Sequence, residues 1–381
     1  MRYLFENDEH AALREQVRRF AAREIAPHAA AWEEAEGFPR ELYAAAGAAG
    51  VLGTGYPEEL GGGGGDLSHV VVAAEEMVLA GRSVGVTVGL GSHGIALPPI
   101  VRAGTPAQRE RFVRPVLRGE KVAALAITEP GGGSDVASLR TRARRDGDHF
   151  VVDGAKTFIT SGARADLVTV AVRTGAEGYG GVSLLVVERG THGFSVGREL
   201  KKMGWWASDT AELHFDGCRV PAENLVGEVD GGFAVIMQNF AVERVLLAAQ
   251  CVAIAALAYD ESVRWARDRV AFGKTLTGFQ VTRHKLAEMA TRIAAARALT
   301  GEVVERVRAN DPRTAGLAAM AKNVATDMCS FVCDAAVQVH GGYGYMRETL
   351  VERLYRDARL YPIGGGTREI MNEVISKTEG Y

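Results

Sequence analysis

Cysteine is scarce, with only Cys218, Cys251, Cys329 and Cys333 in 381 residues, too few and too scattered for a disulfide framework. Cys329 and Cys333 stand four apart in an apolar stretch, on one helix face. With no second pair and only His340 nearby they read as packed thiols and not as metal ligands. An excess of one charge is also missing. The 44 Lys and Arg against 47 Asp and Glu give a net charge of -3, which leaves no electrostatic footprint for nucleic acid or an anionic membrane. No charge-free apolar run is long enough to cross a bilayer, and the opening "MRYLFENDEHAALREQ" has no apolar signal core, so a cytoplasmic location is expected. Neither GxGxxG behind a strand nor GxxxxGK[ST] occurs, which removes the usual glycine loops for dinucleotides and nucleotides. Small molecules or proteins remain as partners.

What is present divides into three blocks, because the chain exceeds what one core usually supports. Residues 1–120 carry helical periodicity, as in "DEHAALREQVRRFAAREIAP", with Leu13, Val17, Phe20 and Ile25 near helical spacing. The five glycines at 61–65 read as a flexible loop between helices. Residues 121–228 change to short β-branched runs broken by turn residues, "KVAALAITEP", "HFVVDGAKTFITSG", "DLVTVAVRT", "GVSLLVVERG" and "AELHFDGCRVP". Asp153-Gly154 and Asp216-Gly217 are turn dipeptides, the first flanked by apolar strands as a hairpin requires. Residues 229–381 return to long helical patterns with short connections, each long enough to cross a bundle. The expected class is α+β: an N-terminal helical domain, a middle β domain of barrel or sandwich type, and a C-terminal four-helix bundle.

Five stretches in order, "AITEPGGGSDVASLRT", "KTFITSGARAD", "DRVAFGKTLTGFQ", "QVHGGYGYMRE" and "LYRDARLYPIGGGTREIM", resemble the motifs of the acyl-CoA dehydrogenase family over essentially the whole chain. The resemblance implies the same three-domain fold, FAD, an acyl-CoA substrate, electron-transfer flavoprotein as acceptor and a homotetramer. Ile127, Thr128 and Gly133 then offer donors and close backbone approach to the flavin, where composition alone also admits a tight turn ended by Pro130. Ser134 corresponds to a residue that touches both cofactor and acyl-CoA. Phe158 and Thr160, two apart on a strand, share a face and would meet the flavin ring and its N5; a plain half-buried strand fits the same spacing. Arg269 and Phe272, with Gln280, Gln338 and Gly342, would reach the FAD of a neighbouring subunit, although a surface arginine near a helix end is the simpler reading of Arg269.

The family's usual base is a glutamate in Tyr-Glu-Gly-Thr, and "PIGGGT" puts Gly364 and Gly365 where the tyrosine and glutamate would stand. Flavin oxidation of a thioester still needs a carboxylate on the far side of the Cα-Cβ bond. Isovaleryl and long-chain members carry it on a bundle helix directly before an arginine, and "FAVERVLLAAQ" contains that pair as Glu243-Arg244. Residues three and four away are Asn239, Phe240, Leu246 and Leu247, so the face is largely apolar and would desolvate the carboxylate. Arg244 and Gly366 fall to the substrate side, Thr367 and Glu369 to the flavin side. Glu129, in Thr-Glu-Pro, reads as structural. The alternatives are an acyl-CoA oxidase or flavin monooxygenase of the same fold, and a non-catalytic scaffold that has lost its base; Gly365 favours the last and Glu243 opposes it. Gly89, Gly91 and Gly94 either open the end of an acyl pocket for a medium, long or branched chain or allow close helix packing. Trp205-Trp206 either meets an electron acceptor or packs.

Overall fold

The computed structural model describes residues 2–381. Helices come first: α1 (Asp8–Glu24), α2 (Ala29–Glu34), α3 (Glu41–Ala48), α4 (Leu67–Gly81), α5 (Val84–Leu90), then the short turns α6 (His93–Ala96), α7 (Pro98–Ala103), α8 (Pro106–Gln108) and α9 (Arg114–Leu117). The glycine run does not behave as a flexible loop. Gly63 and Gly64 donate to Gly53 O and Tyr56 O at 2.8 and 2.9 Å, and a Cβ on Gly62 would stand 2.1 Å from Tyr56 O. Close backbone pairing, and not mobility, is what these glycines permit.

Eight strands follow: β1 (Ala123–Ala126), β2 (Arg142–Asp146), β3 (His149–Thr160), β4 (Leu167–Arg173), β5 (Val182–Glu188), β6 (Phe194–Glu199), β7 (Thr210–Pro221) and β8 (Leu225–Val226). Their order is β6-β7-β3-β2-β4-β5-β8, with β1 parallel to β4. The sheet folds over itself, since Val168, Val170 and Val172 of β4 share one core with Phe150, Val152, Leu213 and Phe215 of β3 and β7. The other face of β4 and β5, through Leu167, Ala171 and Leu184, packs on helices. That two-sided burial is the sandwich character expected of the block.

Asp153-Gly154 and Asp216-Gly217 make no hairpins. Both lie inside long strands, and Gly217 N donates to Asp153 Oδ1 at 2.7 Å across a register shift between β3 and β7. Gly154 and Gly217 sit at φ 145° and 55°, so the dipeptides form an irregularity that bends both strands together. The turn between β2 and β3 is made by the neighbouring Asp146-Gly147-Asp148.

The last block holds α10 (Gly232–Asp268), a small hairpin β9 (Val270–Ala271) and β10 (Lys274–Thr275), α11 (Gln280–Arg308), α12 (Thr314–His340), α13 (Leu350–Ala358) and α14 (Arg368–Glu379). Three long helices form the bundle. Its fourth member is split into α13 and α14 by the turn that contains "PIGGGT". Small residues line the α10–α12 contact, among them Ala248, Cys251, Ala255, Ala325, Cys329 and Cys333, so the two axes approach closely. Among the described residues α10 alone is long and apolar enough to cross a membrane, but over half of its most apolar window is buried inside the protein. The start of α10 lies on β5, where a Cβ on Gly232 would stand 2.8 Å from Ser183. One helix therefore runs from the β domain into the bundle.

Candidate active site

Glu243 sits on α10 eleven residues after its start, beside the split in the fourth bundle helix. Among the described residues its buried Oε2 has no hydrogen-bond partner, and burial pushes the carboxyl up to about 7 against the pull of Arg244 and Lys322. The turn opposite brings bare backbone close to it. Gly365 and Gly366 have φ of 66° and 97°, a region where a side chain is strained, and a Cβ on Gly365 would stand 3.4 Å from Glu243 Oε1 and 2.6 Å from Leu247 Cδ1. The acid expected on the bundle helix and the acid missing from the turn thus address the same space.

Two cations hold this turn. Buried Arg244 donates from Nε to Gly365 O at 3.4 Å and stacks over Phe240, and desolvation lowers its pKa. Lys322, fully buried on α12, donates to Gly366 O at 2.5 Å, and desolvation brings it down to about 8. Sequence reading missed Lys322. The signal was a lysine on the face shared by Ala318, Ala325 and Cys329, all buried here. Thr367 caps α14, accepting from Ile370 N at 3.4 Å. Glu369 is exposed in the first turn of α14, its pKa lowered by its own backbone and by the Thr367 hydroxyl, and it takes no part in the Glu243 group.

The β domain offers a second assembly. Glu129 accepts from Arg140 N (2.6 Å), Thr141 N (2.8 Å) and Lys156 Nζ (2.8 Å), and Lys156 Nζ also donates to Ile127 O at 2.9 Å. Burial would raise Glu129, but Lys156 and these donors hold it below the usual range. Glu129 is thus structural, as its sequence context indicates, and Lys156 is its unforeseen partner. Thr157 N donates to Thr128 O at 2.9 Å and ties the glycine loop to β3. There the strand is irregular: Phe158 takes φ 59° and is 68% exposed, while Ile159 beside it is buried and Thr160 is half-buried. Simple alternation does not hold, because a register shift between Lys156 and Ile159 re-aims the ring. A left-handed, solvent-exposed phenylalanine costs free energy.

Gly131 and Gly132 would meet no protein atom if they bore a Cβ, whereas one on Gly133 would press Thr128 at 3.1 Å. The exposed ring, the bare glycines and exposed Ser134 form a shelf that fits a flat aromatic cofactor better than it fits solvent. Ile127 and Phe240 pack on one core cluster, which connects the shelf to the α10 turn carrying Glu243 and Arg244.

The remaining predicted residues gather elsewhere. Arg269 and Gly342 line a cavity of about 490 Å³ at the far end of the bundle, with Trp265, His340 and Tyr343. Gln280 and Gln338 are exposed at the same end, Phe272 is 96% exposed, and Val270, Val281 and Tyr345 are bare beside it. Such an apolar surface calls for cover. Trp205 is buried edge-on to Tyr361, and Trp206 lies between Arg347 and Arg356, so the tryptophan pair packs. Gly89 is a packing glycine, as a Cβ would strike Phe38 at 2.6 Å, while Gly94 faces open space.

Sequence reading also passed over a cavity of about 1120 Å³ that begins three residues beyond Ser134 and ends at Val229, just before α10. Arg140, Arg142, Arg144 and Arg145 line it. None of the four is ion-paired among the described residues. Arg173 beneath them is spent on the carbonyls of Leu139, Ala176 and Gly178. Arg145 donates to Gly147 O at 2.7 Å and lies over Phe150, which leaves Arg140, Arg142 and Arg144 as the unengaged guanidinium groups around a hollow that suits an anion.

Three family models match in order: acyl-CoA dehydrogenase N-terminal domain over residues 7–120, middle domain over 124–218 and C-terminal domain over 230–379. The long-chain specific acyl-CoA dehydrogenase of Mus musculus mitochondria is 40% identical over 97% of this chain and 86% of its own length. The solved structure of a probable acyl CoA dehydrogenase from Mycobacterium abscessus is 53% identical, with a TM-score of 0.97 over 98% of this chain and 99% of that one. Subunit CarC of the caffeyl-CoA reductase-Etf complex of Acetobacterium woodii is 35% identical over 98% of both chains.

Proposed function

The chain belongs to the acyl-CoA dehydrogenase family, and from that premise we propose that it oxidises a fatty or branched acyl-CoA to the trans-2-enoyl-CoA with Glu243 as the base. The observation that carries this reading is the buried Glu243 Oε2, unpartnered among the described residues, facing the side-chain-free backbone of Gly365. A carboxylate whose pKa lies near 7 is matched to abstracting a weakly acidic α-proton at neutral pH. FAD is the cofactor, with Ile127, Thr128, Gly133, Ser134, Phe158, Thr160 and Thr367 as its holders within the chain; bound there, it supplies a hydride acceptor for Cβ.

The remaining assignments follow from charge and exposure. Arg140, Arg142 and Arg144 suit the phosphates of coenzyme A. Along α10, eleven residues separate Gly232 from Glu243, about 16 Å at the helical rise, which leaves room for a pantetheine arm between phosphate and thioester. The bare bundle end supports a homotetramer in which Arg269, Phe272, Gln280, Gln338 and Gly342 meet a neighbour's FAD. Electron-transfer flavoprotein as acceptor is supported by a relative that is a subunit of an Etf complex. The open space at Gly94 supports a medium, long or branched acyl chain.

Anaerobic mixing with acyl-CoAs of graded length and branching tests the reading, with flavin absorbance as the readout. Bleaching is expected with some of them, and Glu243→Gln is expected to keep FAD while bleaching with none. Near-normal bleaching in that variant would remove Glu243 from the role.

A further inference from the structure

Two buried cations flank the turn at Gly365, and neither bonds to the carboxylate beside it. Arg244 takes Gly365 O and Lys322 takes Gly366 O, so successive carbonyls of the turn are held from α10 and from α12. Lys322 has three N–H donors and one acceptor in its surroundings, while Glu243 Oε2 has no donor at all. The two opposite charges face each other across one point. The Cβ that Gly365 lacks would stand 3.4 Å from Glu243 Oε1 and 3.8 Å from Lys322 Cε, yet no ion pair joins them.

This offset has a chemical use. A direct ion pair would occupy the lone pairs that must receive the α-proton. Burial with no cation nearby would leave the carboxyl protonated. An offset ammonium favours the anion and leaves its oxygens free. Arg244 on the same helix and Lys322 on α12 are the charged groups that face Glu243; the glycine turn brings none, and Cys251 lies against Lys322.

Resting on the assignment of Glu243 as the base, we infer that Lys322 is a positioning residue for proton abstraction: it fastens the glycine turn through Gly366 O, and its buried charge keeps the Glu243 carboxylate anionic and unbonded. Three variants separate the two tasks. Lys322→Gln keeps a donor for Gly366 O and removes the charge, Lys322→Arg keeps the charge, and Lys322→Met removes both.

The readout is deuterium wash-in at Cα of a 3-thia-acyl-CoA by the FAD-loaded protein in D2O, followed by mass spectrometry from pH 5.5 to 9. This probe has no β C–H to lose, so it reports proton abstraction without flavin reduction. Wild type is expected to rise near pH 7, Lys322→Gln about one unit higher, with roughly tenfold less exchange at pH 6, and Lys322→Arg within about half a unit of wild type. A wild-type profile in Lys322→Gln would overturn the inference and leave Lys322 a fastener of the turn only. If Lys322→Gln does not retain FAD, Lys322→Arg decides, since an upward displacement there despite the retained charge overturns the inference too. Absent wash-in by wild type, or unchanged wash-in by Glu243→Gln, would instead sink the base itself and leave this step without its premise.

Discussion

At the scale of single residues the site is built at the expense of stability. Glu243 has its folded pKa raised to about 7 from an ordinary 4.5, so the folded state binds a proton more tightly than the unfolded one. Its contribution is complete below about pH 4.5 and is lost as pH rises through 7. Glu243→Gln should therefore leave urea stability unchanged at pH 4.5 and raise it at pH 8 by about 3 kcal/mol, measured at equal FAD loading. Gly365 behaves oppositely. With φ 66° and Leu247 Cδ1 only 2.6 Å from a Cβ, Gly365→Ala should cost about 1–3 kcal/mol in chemical denaturation, part of it recovered by adding Leu247→Ala. For the same reason Gly365→Glu in a Glu243→Gln background should not recover bleaching by acyl-CoA. Glu243 was legible in the sequence because the Glu-Arg pair resembles that of related members, and the apolar helical face around it suits a buried acid. Lys156 was not, since what marks it is a carboxylate brought close by tertiary packing, and Lys322 showed only as a lysine on a small-residue helix face, its carbonyl partner being supplied by the fold.

At the scale of elements, the loop from Thr128 to Ser134 shows what local pattern can and cannot say. Its glycines announce close approach, but only the structure shows that Gly131 and Gly132 approach nothing within the chain. Gly131→Ala and Gly132→Ala should leave apoprotein melting unchanged and weaken FAD retention, read by cofactor fluorescence after gel filtration. Lys156→Met should loosen the whole loop, because it removes the cation from the largely buried Glu129. A cost of about 3–5 kcal/mol in unfolding is expected. The two Asp-Gly dipeptides show the limit of turn chemistry: the same residues serve a hairpin or a paired bulge, and strand pairing across sixty residues decides which. The five-glycine run is a similar case, because close pairing and free rotation call for the same residue.

At the scale of the whole molecule, the three-block order was legible because a switch of hydrophobic period from helix to strand and back survives any detail of packing. The surface left bare at the bundle end was legible only through the resemblance, which set Phe272 toward a neighbouring subunit; by hydrophobic period alone Phe272 and Tyr345 look like core residues until the fold exposes them. Phe272→Asp should lower the assembled mass in analytical ultracentrifugation and the FAD content together; retained FAD in a dissociated chain would separate assembly from the site. One helix, α10, links these distant places, since it lies on β5 at its start, carries Glu243 in its first half and delivers Arg269 at its end. Between Glu243 and Arg269 lie roughly 40 Å of unbroken helix, and each inserted residue would advance one end by about 1.5 Å and turn it by about 100°. The helix is thus a gauge with no slack: a residue gained or lost in that span would throw Glu243 and Arg269 out of phase with each other.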